Sequence, residues 1–147
     1  MRRTLRSKAY YYRAVDKQNQ TVDFFLSPAR DTKAALAFFR QAIGSSGQLE
    51  KVNMDKSGAN LAGLERVNQG LPEERKITIR QVKYLNNLIE QDHRGVKRIT
   101  KSMLGFKSFA CAAATLAGIE LYHMIRKWQN AVNGEQSAWK QFYALAV

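Results

Sequence analysis

The first fifty residues alternate between hydrophobic and polar positions in a way that predicts a β-hairpin followed by a helix. The segments "AYYYRAV" and "TVDFFL" are rich in aromatic and β-branched residues and flank the polar turn "DKQNQ", which places the hairpin between Ala9 and Leu26. "KAALAFFRQAI" then carries Ala, Leu and Phe at helical spacing and stops at "GSSG". Pro28 suits the turn before this helix, and Asp31 or Thr32 suits its cap.

Strand and helix patterns alternate in the middle of the chain. "EKVNM" predicts a short buried strand, "SGANLAGLERVNQG" a second helix and "KITIRQV" another strand. Gly105 separates a third helix, "YLNNLIEQDHRGVKRIT", from a last helix of small and apolar residues, roughly Ser108 to Trp128. At about 100° per residue, the third helix gathers one apolar stripe: Leu85, Ile89, Val96, Ile99 and Met103.

The order of these elements, β-β-α-β-α-β-α, predicts an α/β layered domain with a mixed sheet. It is the order of a ribonuclease-H-like fold whose first strand is missing or degenerate, because that fold opens with three antiparallel strands. We expect the domain to cover residues 1–129, with a helical C-terminal part, and a C-terminal tail to cover residues 130–147.

The charge of the chain points to a polyanionic partner. Its 24 Lys and Arg against 12 Asp and Glu give a formal net charge of +12 over 147 residues. A hydrophobic fraction of 45% is enough for one ordinary domain with a real core, so this charge belongs to the surface of a globular protein. A strongly basic surface favours nucleic acid as the binding partner.

The chain has too few cysteines and histidines for a disulfide-stabilised or zinc-binding protein, and its hydropathy argues against a membrane span. Cys111 is the only cysteine and permits no intramolecular disulfide, and with His93 and His123 it cannot form a four-ligand zinc site. The apolar run "FACAAATLAGIEL" contains Glu120 and is shorter than the roughly 18 residues that a bilayer span needs. No apolar segment of signal-peptide length follows the basic opening. We therefore expect a cytoplasmic protein that does not contact a membrane.

Two carboxylates are candidates for metal-dependent chemistry. Asp55 ends the strand "EKVNM", where open α/β sheets place their sites, and Glu90 lies on the third helix. The chain between them spans a helix and a strand, enough to bring Glu90 back beside the strand end. Oxygen ligands of this kind hold Mg²⁺ or Mn²⁺, and paired ions about 4 Å apart stabilise both the attacking and the leaving oxygen in phosphoryl transfer.

Basic residues follow Glu90 along the same helix. Lys97 lies seven residues later, nearly two turns along the same face, and is aimed at a DNA backbone if Glu90 holds metal. Three further cations of this helix are candidate DNA contacts: Arg94, Arg98 and Lys101.

Structural explanations exist for each of these residues. A solvated amphipathic helix accounts for the third helix without any function, and Asp55 suits the cap of the helix that follows it. Asp92 falls within the apolar stripe, which favours a structural hydrogen bond or ion pair over metal binding. A solvated helix surface explains His93 better than a contact with DNA or with the metal site does. Strand packing explains Tyr10, Tyr11 and Tyr12 better than base stacking does, and Cys111 suits the core.

Several long phrases of the chain resemble one family. "YYYRAVDKQNQTVDFFLSPARDTKAALAFF", "DKSGAN", "RQVKYLNNLIEQDHRGVKR" and "MLGFKSFACA…LAGIEL" are similar, in order, to the DDE transposases of bacterial insertion sequences, specifically insertion-sequence family six. The resemblance covers roughly Tyr10 to Gln129. It implies that Asp55 is the second catalytic Asp, Glu90 the catalytic Glu and Lys97 the basic residue that follows it.

The sequence departs from this family at the position of the first catalytic Asp. The family carries that Asp in a phrase like "DETY" on the opening strand, whereas this chain reads "MRRTLRSKA" and has no Asp or Glu before Asp16. Asp16 and Asp23 match the family's hairpin, outside its triad. The family's amino-terminal helix-turn-helix is also absent, so we expect the product of a 5′-truncated transposase gene.

Three functions follow from this comparison. We expect, first, a transposase core fragment that binds transposon-end and target DNA but is inactive alone. The alternative is a non-catalytic DNA-binding or oligomerising remnant that modulates an intact transposase through shared DNA or mixed oligomers. A nuclease that has replaced the missing acid from elsewhere is disfavoured, because no spare acid lies near the start of the chain.

Overall fold

The described part of the computed structural model contains the helices and strands in the order that the hydrophobic pattern predicts. It covers residues 9–82, 86–103, 105–127, 129 and 137–144, without the side chains of residues 86–92, 138 and 139. The elements are β1 (Tyr10–Val15), β2 (Thr21–Ser27), α1 (Thr32–Ser46), β3 (Lys51–Met54), α2 (Gly58–Gln69), a 3-10 turn (Glu73–Arg75), β4 (Thr78–Gln81), α3 (Asn86–Lys101), α4 (Phe109–Arg126) and α5 (Ala138–Ala144).

The predicted hairpin is confirmed. Strands β1 and β2 are antiparallel, with Tyr12 opposite Phe25. The carboxylate of Asp16 accepts hydrogen bonds from the backbone amides of Gln18 at 2.9 Å and Gln20 at 2.8 Å and so closes the turn. Asn19 has a φ of 62°, a left-handed conformation that Asn tolerates better than most residues.

Side-chain caps start two of the helices. Asp31 is the N-cap of α1 and accepts a hydrogen bond from the amide of Ala34 at 2.8 Å, so it takes the cap position rather than Thr32. Gly47 ends the helix with a φ of 78°, which glycine adopts without steric cost. Ser108 caps α4 and accepts from the amide of Cys111 at 3.1 Å.

The described strands form two two-stranded sheets instead of the single mixed sheet that we expected. Strands β1 and β2 form an antiparallel pair, and β3 and β4 form a parallel pair with Val52 opposite Ile79. Side-chain packing joins the two pairs, since both contribute to one hydrophobic core. The described backbone has no hydrogen-bonded ladder between them, so the expectation of one sheet is wrong for this part of the chain.

Helices α1 and α2 cover one face of both sheets. The buried centre of this layer consists of Ala35, Phe38, Phe39, Met54, Leu64 and Ile77. The two helices approach closely at Gly63, where an added Cβ would lie 2.7 Å from the Cβ of Ala35 and 3.0 Å from the backbone nitrogen of Leu36. Glycine is therefore required sterically at position 63.

Helices α3 and α4 pack on the opposite face of the hairpin. Val96, Leu116 and Ile119 form a second buried cluster with the partly buried Tyr11 and Leu26. Tyr12 contacts the first core, because successive side chains of a strand point to opposite faces. The hairpin therefore lies between two helical layers, and strand packing does account for Tyr11 and Tyr12.

Three expectations about burial are wrong. Cys111 is exposed, because the buried face of α4 runs through Ala112, Leu116 and Ile119 and position 111 lies about 100° from position 112. Met103 follows the end of α3 and is 45% exposed. Strand β3 is not fully buried, since Lys51 and Asn53 are exposed.

The tail contains a helix that packs on the rest of the protein. Helix α5 contacts α4, and within it Gln141 is buried while Phe142 and Tyr143 are exposed. In the described residues, no helix combines the length and the hydropathy that crossing a membrane requires.

Candidate DNA and metal site

Asp55 lies directly after β3, as its sequence position predicts. The residue is partly buried, and its backbone carbonyl accepts a hydrogen bond from the amide of Ser57 at 2.8 Å. Ser57, not Asp55, is the N-cap residue of α2. Over the ranges that the structure describes, the Asp55 carboxylate makes neither a hydrogen bond nor an ion pair, so it does not cap the helix and its oxygens have no protein donor there.

Glu90 lies in the first half of α3. Its side chain and that of Asp92 are outside the described residues. The approach of Glu90 to Asp55 is therefore still a prediction, as is the structural hydrogen bond or ion pair expected for Asp92. Within the described residues, no group of three His, Cys, Asp or Glu side chains is placed to hold a metal ion.

The second half of α3 carries a basic stripe on its solvent side, formed by four exposed cations: Arg94, Lys97, Arg98 and Lys101. At 100° per residue these positions fall within an arc of about 100°. Val96 is buried and Ile99 partly buried on the other side of the helix. Four cations on one exposed arc form a surface that attracts phosphates.

Two contacts hold the inner side of α3 against the fold. The ring of His93 meets the ring of Tyr11 edge to face, with centroids 5.8 Å apart. Gly95 faces α4, where an added Cβ would lie 2.8 Å from Cε1 of His123. His93 therefore packs on the hairpin, and the basic stripe faces away from it.

A buried ion pair attaches α4 to the hairpin. The guanidinium of Arg13 donates from Nε to Oε1 of Glu120 at 2.7 Å and from Nη2 to Oε2 at 3.1 Å. The same Nη2 donates to Oγ1 of Thr21 at 2.9 Å, and the hydroxyl of Tyr11 donates to Oε1 of Glu120. Glu120 is fully buried. This network fixes α4, on which α3 packs, relative to strand β1.

Burial and the hydrogen bond to Glu120 raise the pKa of Tyr11 well above its ordinary value, burial being the larger cause. The phenol therefore stays protonated and continues to donate to the carboxylate at physiological pH. Sequence reasoning missed this network, although one signal was present: a carboxylate within an apolar helix requires a buried partner.

The two acids nearest to the start of the described chain have structural roles. Asp16 closes the hairpin turn. Asp23 joins β2 to α1, accepting hydrogen bonds from Nε2 of Gln41 at 2.8 Å and from Oγ of Ser45 at 3.0 Å. Both carboxylates already have donors within the fold.

Comparisons with known proteins agree on one family. A family model described as a DDE domain matches residues 4–129. The chain is 34% identical over 119 residues to the transposase for insertion sequence-like element IS431mec of Staphylococcus aureus (strain N315). The identity and length are the same for the transposase for insertion sequence element IS257 in transposon Tn4003 of Staphylococcus aureus.

The matched region covers 81% of this chain and 51% of each of those transposases. The chain thus spans about half the length of the curated relatives that it matches. No solved structure matches the chain.

Proposed function

Because this chain belongs to the DDE-domain family, and its relatives are insertion-sequence transposases, we propose that it acts in DNA transposition as part of a transposase catalytic core. In this proposal the core has a ribonuclease-H-like arrangement and binds transposon-end and target DNA. The observation that carries the proposal is the exposed basic stripe of α3, whose cations Arg94, Lys97, Arg98 and Lys101 neutralise backbone phosphates.

The proposed metal ligands are Asp55 and Glu90. A partly buried carboxylate with no donor among the described residues, as at Asp55, suits a hard cation such as Mg²⁺ or Mn²⁺. Bound ions of this kind supply positive charge to the attacking and leaving oxygens of a phosphoryl transfer. The side chains of the protein itself hold the DNA phosphates. The basic stripe of α3 positions the DNA, and the Arg13–Glu120 ion pair attaches α4, on which α3 packs, to the hairpin.

We propose further that the 147-residue chain does not cleave or join DNA by itself. The family resemblance implies three catalytic acids, and this sequence matches two of them. Asp16 and Asp23 do not supply the third, because the hairpin turn and α1 already use their oxygens. A single ion held by two carboxylates would polarise a phosphate, but it would not act on both reacting oxygens.

The same shortage of acids favours a second candidate function. A chain that keeps the DNA surface but not the full set of catalytic acids would modulate an intact transposase by occupying its DNA or by forming mixed oligomers with it. Adding the purified chain to a reaction of an intact relative tests this second function, since a modulator changes the rate of that reaction.

Salt-dependent DNA binding tests the proposal. Affinity for a labelled duplex that carries an insertion-sequence end should fall steeply between low and physiological salt, because bound cations release counterions from the phosphates. Lys97→Glu with Lys101→Glu should flatten the slope of log affinity against log salt by about 2, roughly one for each lost contact. An affinity of the unaltered chain that does not depend on salt would refute the proposal.

A matched charge reversal serves as the control. Lys33 and Arg40 are exposed on α1, on the side that faces away from the core. Lys33→Glu with Arg40→Glu changes the net charge by the same amount as the α3 variant. It should weaken binding less, because these residues lie outside the proposed DNA surface.

A further inference from the structure

We propose that the exposed face of the β3–β4 sheet is a second contact for the DNA phosphate backbone and leads a DNA strand to Asp55. This inference rests on the proposed function and adds residues that the family comparison does not assign. The face, called here the outer sheet face, consists of four exposed side chains: Lys51, Asn53, Thr78 and Arg80.

The register of the two strands places these four residues together. Lys51 is opposite Thr78 and Asn53 is opposite Arg80, so the face holds two adjacent cross-strand pairs. Directly opposed side chains of a sheet have Cβ atoms about 5 Å apart, and residues two positions along a strand lie roughly 7 Å apart. The four side chains therefore form one patch, not isolated surface positions.

The alternate residues of the same strands point into the protein. Val52, Met54 and Ile79 pack with the core beneath α1 and α2. Parallel sheets normally have both faces covered, because their connecting helices pack on both sides. Here the described residues cover one face of the parallel pair and leave the other one exposed and polar, which favours an occupant from outside the described chain.

The chemistry of the face identifies that occupant as a polyanion. Lys51 and Arg80 supply two cations, and a guanidinium binds phosphate oxygens through two parallel hydrogen bonds. Asn53 and Thr78 add neutral donors of the kinds that contact DNA phosphates. The face contains no acid: Glu50, the nearest one before β3, belongs to the even-numbered positions that alternate with Lys51 and Asn53.

Asp55 lies at one end of the outer sheet face. Lys51 and Asn53 are successive odd-numbered positions of β3, and Asp55 follows the end of the strand directly. A backbone bound along β3 would place a phosphate next to the Asp55 carboxylate. We regard Lys51 and Arg80 as positioning residues, which set where the DNA strand lies relative to Asp55.

Three double charge reversals, each matched in net charge, test the inference. Lys51→Glu with Arg80→Glu should lower the affinity for end DNA by at least about tenfold at low salt and flatten the salt slope by about 2. The α3 variant, Lys97→Glu with Lys101→Glu, should behave similarly. The control on α1, Lys33→Glu with Arg40→Glu, lies on the far side of the core and should lose clearly less affinity.

The outcomes separate this inference from the proposed function. If the outer sheet variant binds like the α1 control while the α3 variant is weakened, the inference is wrong and the proposed function stands. If the unaltered chain shows no salt-dependent binding, the proposed function itself fails. Circular dichroism checks that each variant folds. If Lys51→Glu with Arg80→Glu does not fold, Lys51→Gln with Arg80→Gln takes its place. The slope of log affinity against log salt for that variant should still be flatter than the slope for the unaltered chain.

Discussion

The guanidinium of Arg13, on strand β1, forms a buried ion pair with the carboxylate of Glu120, on helix α4, at 2.7 Å. The two residues are separated by 107 positions, so the pair connects the start of the described chain to its last long helix. Both side chains are completely shielded from water. A buried charge that loses its partner pays its full desolvation cost, which makes this pair a sensitive point of the fold.

Removal of one member of the pair should destabilise the protein strongly. We expect Glu120→Ala to lower the free energy of unfolding by about 3–5 kcal/mol, because Arg13 would remain buried without a counter-charge. Urea denaturation measures the change. Glu74→Ala, at an exposed acid, is the control and should stay within about 0.5 kcal/mol of the unaltered chain.

Replacing both members of the ion pair tests whether the lost stability comes from the unpaired charge. Arg13→Met combined with Glu120→Leu should recover much of the stability that Glu120→Ala loses, since apolar groups of similar volume leave no uncompensated charge. A single Glu120→Ala variant as stable as the unaltered chain would show that the pair does not hold α4 in place.

The contact between α1 and α2 predicts opposite effects for two glycines. Gly63→Ala should lower the free energy of unfolding by about 1–3 kcal/mol, because the new methyl group would press against the backbone of α1. Gly44→Ala should be neutral or raise it by up to about 1 kcal/mol, since that helical position has open space around it. Equal thermal midpoints for the two variants would contradict the close packing of the helices.

The protonation of Tyr11 predicts a loss of stability at alkaline pH. Its pKa is raised in the folded chain, so above about pH 10 the unfolded chain loses this proton while the folded chain keeps it. The free energy of unfolding should then fall with rising pH by up to about 1.4 kcal/mol per unit. Below about pH 10, the contribution of the protonated Tyr11 to the free energy of unfolding is fully present.

Tyr11→Phe tests whether the Tyr11 phenol causes this loss of stability. The measured quantity is the slope of the free energy of unfolding against pH, not its absolute value. The variant should show a shallower decline above pH 10 in denaturant titrations at several pH values. Part of the decline should persist, because burial also raises the pKa of Tyr12. Identical slopes for the variant and the unaltered chain would show that the Tyr11 phenol titrates alike in both states.

Local patterns in the sequence predicted the elements of the fold well. The turn "DKQNQ", the helix cap at Asp31 or Thr32 and the helix with Val96 on its inner side all depend on residues close in sequence. The structure confirms them, with Asp31 as the cap. The helical period also separated the solvent side of α3 from its buried side. Such features need no knowledge of distant contacts.

Features that depend on distant contacts were not predictable. The Arg13–Glu120 pair joins segments that no local pattern connects, and the exposure of Cys111 depends on which side of an almost uniformly apolar helix meets the core. The separation of the strands into two sheets likewise follows from tertiary packing. The relation of Asp55 to Glu90, on which the metal site depends, is still a prediction.

Metal-dependent joining of insertion-sequence ends tests the central claim most directly. The purified chain should bind end DNA but not join it with Mg²⁺ or Mn²⁺, because it matches two of the three acids that the family resemblance implies. A fusion that adds the amino-terminal segment of a relative, with its strand and Asp, should join the DNA and lose this activity on Asp55→Ala. Joining by the unextended chain that disappears in an Asp55→Ala, Glu90→Ala double variant would contradict the account.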